Sequence, residues 1–327
     1  MKIITLEEHY QFAEIQHVVA KYLPDQPAFH QAAYDPPRSH LEDLGEGRIQ
    51  RMDAMGIDVQ VLSNTSAMLP ALPAAEAVPL ARDMNDRLAA AIAVHPDRFA
   101  GFAALPTPDP EAAADELERA VRTLGLKGAL ISGRTNGRFL DDPAFRPILA
   151  AAEALDVPLY LHPAVPPKAV VEACYADLDP AISLSFATAG WGWHLETGTH
   201  ALHMILAGVF DRYPGLQLIL GHWGEMIPFY LARFSEALHP VTKHLQRPVA
   251  DYFLQQMYVT PSGMFTLPQF LLTLHVMGAE RNMYSVDYPY IESEHARTFL
   301  EQAPISPADK AKIAHENAER VLKLTPM

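Results

Sequence analysis

The chain has 327 residues, 49% hydrophobic and 20% charged, enough to bury a sizeable core as one large α/β barrel or two modest domains. A formal charge of −14 argues against nucleic acid and anionic membrane surfaces as partners. The single cysteine, Cys174, excludes internal disulfides and thiolate clusters, so any metal site here uses oxygen and nitrogen ligands.

The chain opens on a strand-like Lys2-Ile3-Ile4-Thr5-Leu6, with no basic segment leading into a long apolar run, so no signal peptide is visible. No run of 18 apolar residues offers a transmembrane span, and the chain reads as a cytoplasmic-type protein. Strand and helix signals then alternate. The strand candidates are Ile3–His9, Val59–Ser63, Phe99–Leu105, Gly128–Ser132, Pro158–His162, Leu216–Gly221, Met257–Thr260 and Met283–Asp287. Helical patterns lie between them, at 41–56 (ending at Gly56), 77–94, 110–124, 142–155, 199–210, 225–237, 267–277, 292–301 and 308–323. Asp109-Pro110, Asp142-Pro143 and Ser306-Pro307 each pair an N-cap residue with proline in the first turn.

Eight βα units in sequence predict a (β/α)8 TIM barrel, a single domain over residues 1–327. A plain barrel needs about 250 residues. The excess falls in three loops, roughly 11–40, 163–196 and 237–255, and the first two are expected as insertions over the C-terminal mouth.

Polar residues at the C-terminal ends of barrel strands are where such folds keep their chemistry. The first strand ends in Leu6-Glu7-Glu8-His9. Side chains alternate along a strand, so Glu7 and His9 share one face and Glu8 takes the other. The fifth strand ends in His162-Pro163 and the eighth in Val286-Asp287-Tyr288-Pro289. The sixth is a buried-strand run, Leu218-Ile219-Leu220-Gly221, that ends in His222 with Glu225 three residues on, where a helix would begin. A lone strand-end histidine is more often a core residue. Four such ends on one axis are far less accidental. Glu7, His9, His162 and Asp287 together supply two imidazoles and two carboxylates, a set suited to one divalent ion with open positions.

Weaker candidates surround these. His200 and His203 sit three apart on a probable helix, with packing as the commoner use of that spacing. Tyr10, Ser132, Trp193, Arg233 and Tyr288 are candidate substrate contacts. Trp191, Ser63 and Asn64 are further mouth candidates, and Arg233 is read as reaching a substrate carboxylate, from a neighbouring subunit if need be.

The ordered set Leu6-Glu7-Glu8-His9, Tyr160-Leu161-His162-Pro163, Gly208-Val209-Phe210-Asp211-Arg212-Tyr213-Pro214, Gly221-His222-Trp223-Gly224-Glu225, Thr260-Pro261-Ser262-Gly263, Ser285-Val286-Asp287-Tyr288-Pro289 and Asn317-Ala318 resembles the metal-dependent amidohydrolase superfamily. Its nearest look is to the branch with aminocarboxymuconate-semialdehyde decarboxylase and the hydroxybenzoate (gamma-resorcylate) decarboxylases, over essentially the whole chain. The resemblance implies Glu7, His9, His162 and Asp287 as ligands of one zinc, manganese or magnesium ion. It implies His222 beside the metal, with Glu225 as its acidic partner. Binuclear members need a modified lysine at the end of the fourth strand; here that strand ends in Ile131-Ser132-Gly133, and Lys127 lies at its other end.

The implied activity is non-oxidative decarboxylation of a hydroxylated aromatic or related unsaturated carboxylic acid, with Asp287, His222 and Glu225 as the catalytic groups. The same parts suit a hydrolase or hydratase acting on a lactone or unsaturated diacid, and a metal-binding barrel without catalysis is a third reading. The implied assembly is a homodimer or homotetramer. Ser132 stands where several hydroxybenzoate decarboxylases carry asparagine. Asp287-Tyr288-Pro289-Tyr290-Ile291 lacks their early acidic residue, and the stretch after Arg233 is shorter. These departures leave the ring substrate open.

Overall fold

The computed structural model describes residues 1–13, 15, 18, 21, 36–65 and 69–324. Most of the expected mouth loop at 11–40 lies outside the described residues. The strands are β1 (Ile4–Tyr10), β2 (Val59–Asn64), β3 (Phe99–Gly101), β4 (Ala103–Ala104), β5 (Ala129–Ser132), β6 (Leu159–His162), β7 (Leu218–Leu220) and β8 (Met257–Val259), all paired in parallel. The third predicted strand is thus two pieces. β3 pairs with β2 and β4 with β5, while Phe102 between them donates its N–H to Leu62 O at 2.8 Å. One bent strand therefore joins the order β1-β2-β3 to the order β4-β5-β6-β7-β8.

The eighth predicted strand, Met283–Asp287, does not form a regular ladder, yet it closes the ring. Met283 N–H donates to Val259 O on β8, and Leu6 N–H on β1 donates to Tyr284 O, both at 2.9 Å. Glu8 explains the irregularity. Its carboxylate, fully buried, accepts Val286 N–H at 2.8 Å and Tyr288 N–H at 3.3 Å, filling the place of a main-chain carbonyl. Gln60 reaches the same carboxylate, and Arg48 holds Gln60 Oε1 at 2.7 Å and His9 O at 2.8 Å. The chain is a (β/α)8 barrel in which a side chain completes the last seam.

Side chains of β1 change sides half-way along. Ile4 and Leu6 lie in the barrel interior with Val61, Phe102, Tyr160 and Ile219, whereas Ile3 and Tyr10 pack outside among the helices. Strict alternation would send Glu8, not Glu7, inward. Between Thr5 and Glu8 the register against β2 slips by one residue, a bulge, and Glu7 takes φ +68°. The slip reverses the parity, so Glu7 and His9 face the axis above Leu6. At the other end Ala318 and Leu322 join the interior cluster and seal the barrel floor.

Helix boundaries follow the local chemistry. Asp109 caps Pro110–Arg122 by accepting Ala112 N–H at 3.1 Å, and Ser306 caps Pro307–Ala311 through Asp309 N–H at 3.1 Å. Gly56 ends Glu46–Met55 in the left-handed region, at φ +72°. The expected loop at 163–196 instead holds the helices Lys168–Cys174 and Pro180–Ala187, and the next helix, Gly192–Leu206, starts seven residues before its expected beginning at 199. The loop at 237–255 likewise contains the helix Val249–Gln256. The helix expected from Glu225 begins instead at Ile227, because the residues before it are left-handed.

Replacing Glu8 by alanine leaves two buried N–H groups without acceptors. Each buried donor left unsatisfied costs about 1–3 kcal/mol, so the urea midpoint of the Glu8→Ala variant falls markedly.

Candidate metal centre and active site

Strand ends bring Glu7, His9, His162 and Asp287 together, with one ligand atom from each lying within 4.8 Å of all the others. His9 Nε2 stands 3.1 Å from Asp287 Oδ1, and His162 Nε2 stands 3.4 Å from Glu7 Oε1. The far nitrogens are committed elsewhere. His162 Nδ1 donates to Pro163 O at 2.8 Å and His9 Nδ1 meets Ser63 Oγ at 3.2 Å, which turns both Nε2 lone pairs toward the cluster.

Glu7 has no exposure at all, and its Oε2 accepts from Tyr160 OH and Ser262 Oγ. Its Oε1, like His9 Nε2, is buried without a hydrogen-bond partner among the described residues. Two orphaned polar atoms aimed at one point, beside a third lone pair and a second carboxylate, are what a divalent ion requires. Burial raises the Glu7 carboxyl, Asp287 adding to this against His222, and burial with the neighbouring imidazoles pushes His162 well below its usual range. A neutral imidazole is the form that binds metal.

The turn after β7 is the second half of the site. From His222 to Met226 the backbone stays left-handed, with φ +48°, +56°, +79°, +52° and +65°. Each of the four non-glycine residues in this run costs about 1–2 kcal/mol. Trp223 N–H to Thr260 O at 2.8 Å, His222 N–H to Ser262 Oγ at 2.9 Å and the Trp223 indole to Met264 O at 2.8 Å hold it in place. The turn sets His222 Nδ1 2.8 Å from Glu225 Oε1. The other oxygen, Oε2, lies 2.8 Å from Nδ1 of His194, whose ring centroid is 4.4 Å from that of His222. Burial opposes charge on His222, but Glu225, Glu7 and Asp287 together hold it up at about 10. Burial likewise opposes charge on Glu225, and the two imidazoles reverse this and keep the carboxyl below its usual range.

Residues 16–324 match the amidohydrolase family. The chain belongs to it. It is 36% identical over 338 residues to the gamma-resorcylate decarboxylase of Rhodococcus jostii (strain RHA1), covering 98% of each chain. Among solved structures of the family, the 5-carboxyvanillate decarboxylase of Sphingomonas paucimobilis superposes with TM-score 0.90 at 33% identity, over 99% of both chains. A dihydroxybenzoic acid decarboxylase from Polaromonas sp. JS666, solved with manganese and 2-nitroresorcinol, superposes with TM-score 0.84 at 34% identity, over 100% of this chain and 98% of that one.

Within this amidohydrolase barrel the weaker sequence candidates separate. Ser132 ends β5 in register with His162 and lines a small cavity of about 20 Å3 with Asn64 and Thr107. Trp193 stands behind His194, donating its indole N–H to Nε2 at 3.1 Å. Tyr10 does not line the mouth: beyond the bulge it points outward, its ring 5.2 Å from Phe12. Tyr288 also faces away, stacked on His40 with the Arg48 guanidinium 4.7 Å from its ring centroid. Tyr290 takes the place expected of Tyr288, with its ring 5.5 Å from His9. Arg233 is 73% exposed and, among the described residues, meets only Glu236, at 3.8 Å, so it does not reach the described mouth residues within one chain. His200 is a buried structural residue that accepts Leu140 N–H at 2.8 Å, and His203 lies across Phe139 from it.

Two measurements check this geometry. A Cβ on Gly221 would lie 2.6 Å from Ser262 Oγ and 2.8 Å from Glu7 Oε2. Gly221→Ala therefore displaces the Glu7 carboxylate, and elemental analysis should show a sharp loss of bound metal in a variant whose circular dichroism is unchanged. The second concerns pH. A histidine raised from 6.5 to about 10 in the folded state contributes stability that is fully present below pH 6.5 and lost as pH rises through about 10. In chelator-treated protein the melting temperature should decline across that window, and Glu225→Gln should flatten the decline.

Proposed function

We propose that this protein is a metal-dependent non-oxidative decarboxylase of a hydroxylated, hydroxybenzoate-like aromatic acid. The observation that carries the reading is the convergence of Glu7 Oε1, His9 Nε2, His162 and Asp287, with two of these atoms buried and without a hydrogen-bond partner among the described residues. Full-length kinship to decarboxylases of ring carboxylic acids supports the class. In this proposal the four residues hold one divalent ion, manganese by analogy with the Polaromonas enzyme and zinc or magnesium as the other options. When bound, such an ion chelates a carboxylate and the adjacent phenol oxygen of a substrate.

The chain's own groups then account for the rest. Asp287 is 16% exposed, so it can recover a proton from solvent between turnovers. It delivers that proton to the ring carbon bearing the carboxylate. The bond from that carbon to the carboxylate then breaks, its electron pair returns to the ring, and CO2 leaves. His222, charged by its contact with Glu225, offers a cation to the anionic substrate beside the cluster. Ser132, level with His162 on the neighbouring strand, is the candidate contact for a ring substituent on that side. Tyr290, against His9, forms part of the wall in place of Tyr288.

The whole chain is read as one domain, cytoplasmic, and as a homodimer or homotetramer. No described helix is long and apolar enough to cross a membrane. Phe229 and Tyr230, 70% and 51% exposed, lie on the same helix as Arg233, an apolar surface suited to burial against a second copy. In such an assembly Arg233 is the candidate for a substrate carboxylate from across the interface.

Turnover in deuterated water tests the reaction class. A decarboxylase places one solvent-derived deuterium on the former carboxyl-bearing carbon and releases CO2. The alternative hydrolase or hydratase releases no CO2. A panel of ortho-hydroxylated aromatic acids that gave neither product, beside clean turnover of a lactone, would replace this proposal with the hydrolase reading.

A further inference from the structure

Glu225 is shared, and the second histidine on it comes from a different part of the chain. His222 and Glu225 belong to the turn after β7, whereas His194 lies at the start of the helix Gly192–Leu206. That helix is built to approach the main chain of Glu225 closely. Gly198, one turn on from His194, comes so near that an added Cβ would lie 2.8 Å from Glu225 O. At 2% exposure Glu225 is cut off from bulk solvent, and each of its oxygens meets one imidazole Nδ1 at 2.8 Å.

The partners of His194 define its tautomer. An indole N–H only donates. With Trp193 donating to Nε2, the proton of a neutral His194 is on Nδ1 and points at Glu225 Oε2. The Ala189 carbonyl, 3.0 Å from the same Nε2, serves as acceptor if that nitrogen is protonated as well. The donors therefore run from Trp193 through His194 into Glu225, and from His222 into the other oxygen.

We propose that His194 is a positioning residue for the His222–Glu225 pair, its Nδ1–H fixing the plane of the Glu225 carboxylate so that His222 keeps its own proton on Nδ1 and turns Nε2 to the substrate. A carboxylate bonded through one oxygen alone can swing about its last torsion. Anchored at both oxygens from two separate elements, it cannot. His194 thus ties the helical insertion over the mouth to the catalytic pair. This inference rests on the decarboxylase reading only for its kinetic test.

In that test His194→Leu retains its metal but loses kcat by about 10–100-fold, the range for removal of an outer hydrogen-bond partner, with KM little changed. His194→Asn, whose amide N–H occupies the place of Nδ1–H, restores most of that loss. Packing alone gives the opposite order, leucine tolerated and asparagine poor, and that order overturns the proposal. A second measurement needs no turnover. Proton NMR of the wild type loaded with zinc, which is diamagnetic, should show two far-downfield imidazole N–H resonances, one of which disappears in His194→Leu. A single resonance, unchanged in that variant, overturns the proposal. Two resonances in an enzyme that releases CO2 from no acid would leave His194 in place and refute the decarboxylase reading instead.

Discussion

The site depends on one carboxylate placed where water cannot reach it. Glu7 sits above the apolar interior layer formed by Leu6, Phe102 and Tyr160, and an uncompensated charge there would cost several kcal/mol. Everything nearest to it reads as compensation. Tyr160 and Ser262 donate to one oxygen, His162 approaches the other, and Gly221 withholds a side chain so that the carboxylate fits. A divalent ion between the orphaned Glu7 Oε1 and His9 Nε2 completes the arrangement, so the barrel is better satisfied loaded than empty.

Backbone strain is concentrated at the same place. Glu7, His222, Trp223, Glu225, Met226, Ser262 and Asp287 all have positive φ. Non-glycine residues adopt that region only where their surroundings compel it. Here the compulsion comes from hydrogen bonds between neighbouring strand ends: Trp223 to Thr260, His222 to Ser262, and Ser262 N–H to Ser285 Oγ. At the floor of the barrel, sealed by Ala318 and Leu322, positive φ is sparser among the described non-glycine residues, at Asp156 and Lys323, which fits the division of such barrels into a functional mouth and a stabilising base.

Much of this was legible in the sequence, because buried parallel strands read as apolar runs and their polar ends stand out. Glu7, His9, His162, Asp287, His222 and Glu225 are all recovered that way, and the structure brings them together. The bulge was not legible. Nothing in Thr5-Leu6-Glu7-Glu8 announces a glutamate at φ +68°, so sequence alternation paired Glu7 with His9 correctly without showing that Leu6 shares their side. Tyr10 faces outward by the same alternation that turns Glu7 and His9 to the axis, so its place as a mouth candidate rested on its ring alone. Tyr288 was chosen over Tyr290 because nothing in Asp287-Tyr288-Pro289-Tyr290 marks which ring faces His9. His194 escaped notice because its partner, Glu225, is 31 residues away on another element, and only the fold brings the two together.

The seam closed by Glu8 has a consequence for how the molecule is made. The acceptor lies on the first strand, and the N–H groups it satisfies are 278 and 280 positions later. The first strand must therefore wait, its carboxylates unmatched, until that distant segment has been synthesised. Contacts of such sequence separation form late and slowly. A chain stalled before Met283 has seven of its eight staves but no closed ring and no Asp287. Such a fragment lacks a complete ion site, so loading with metal waits for the segment that closes the ring.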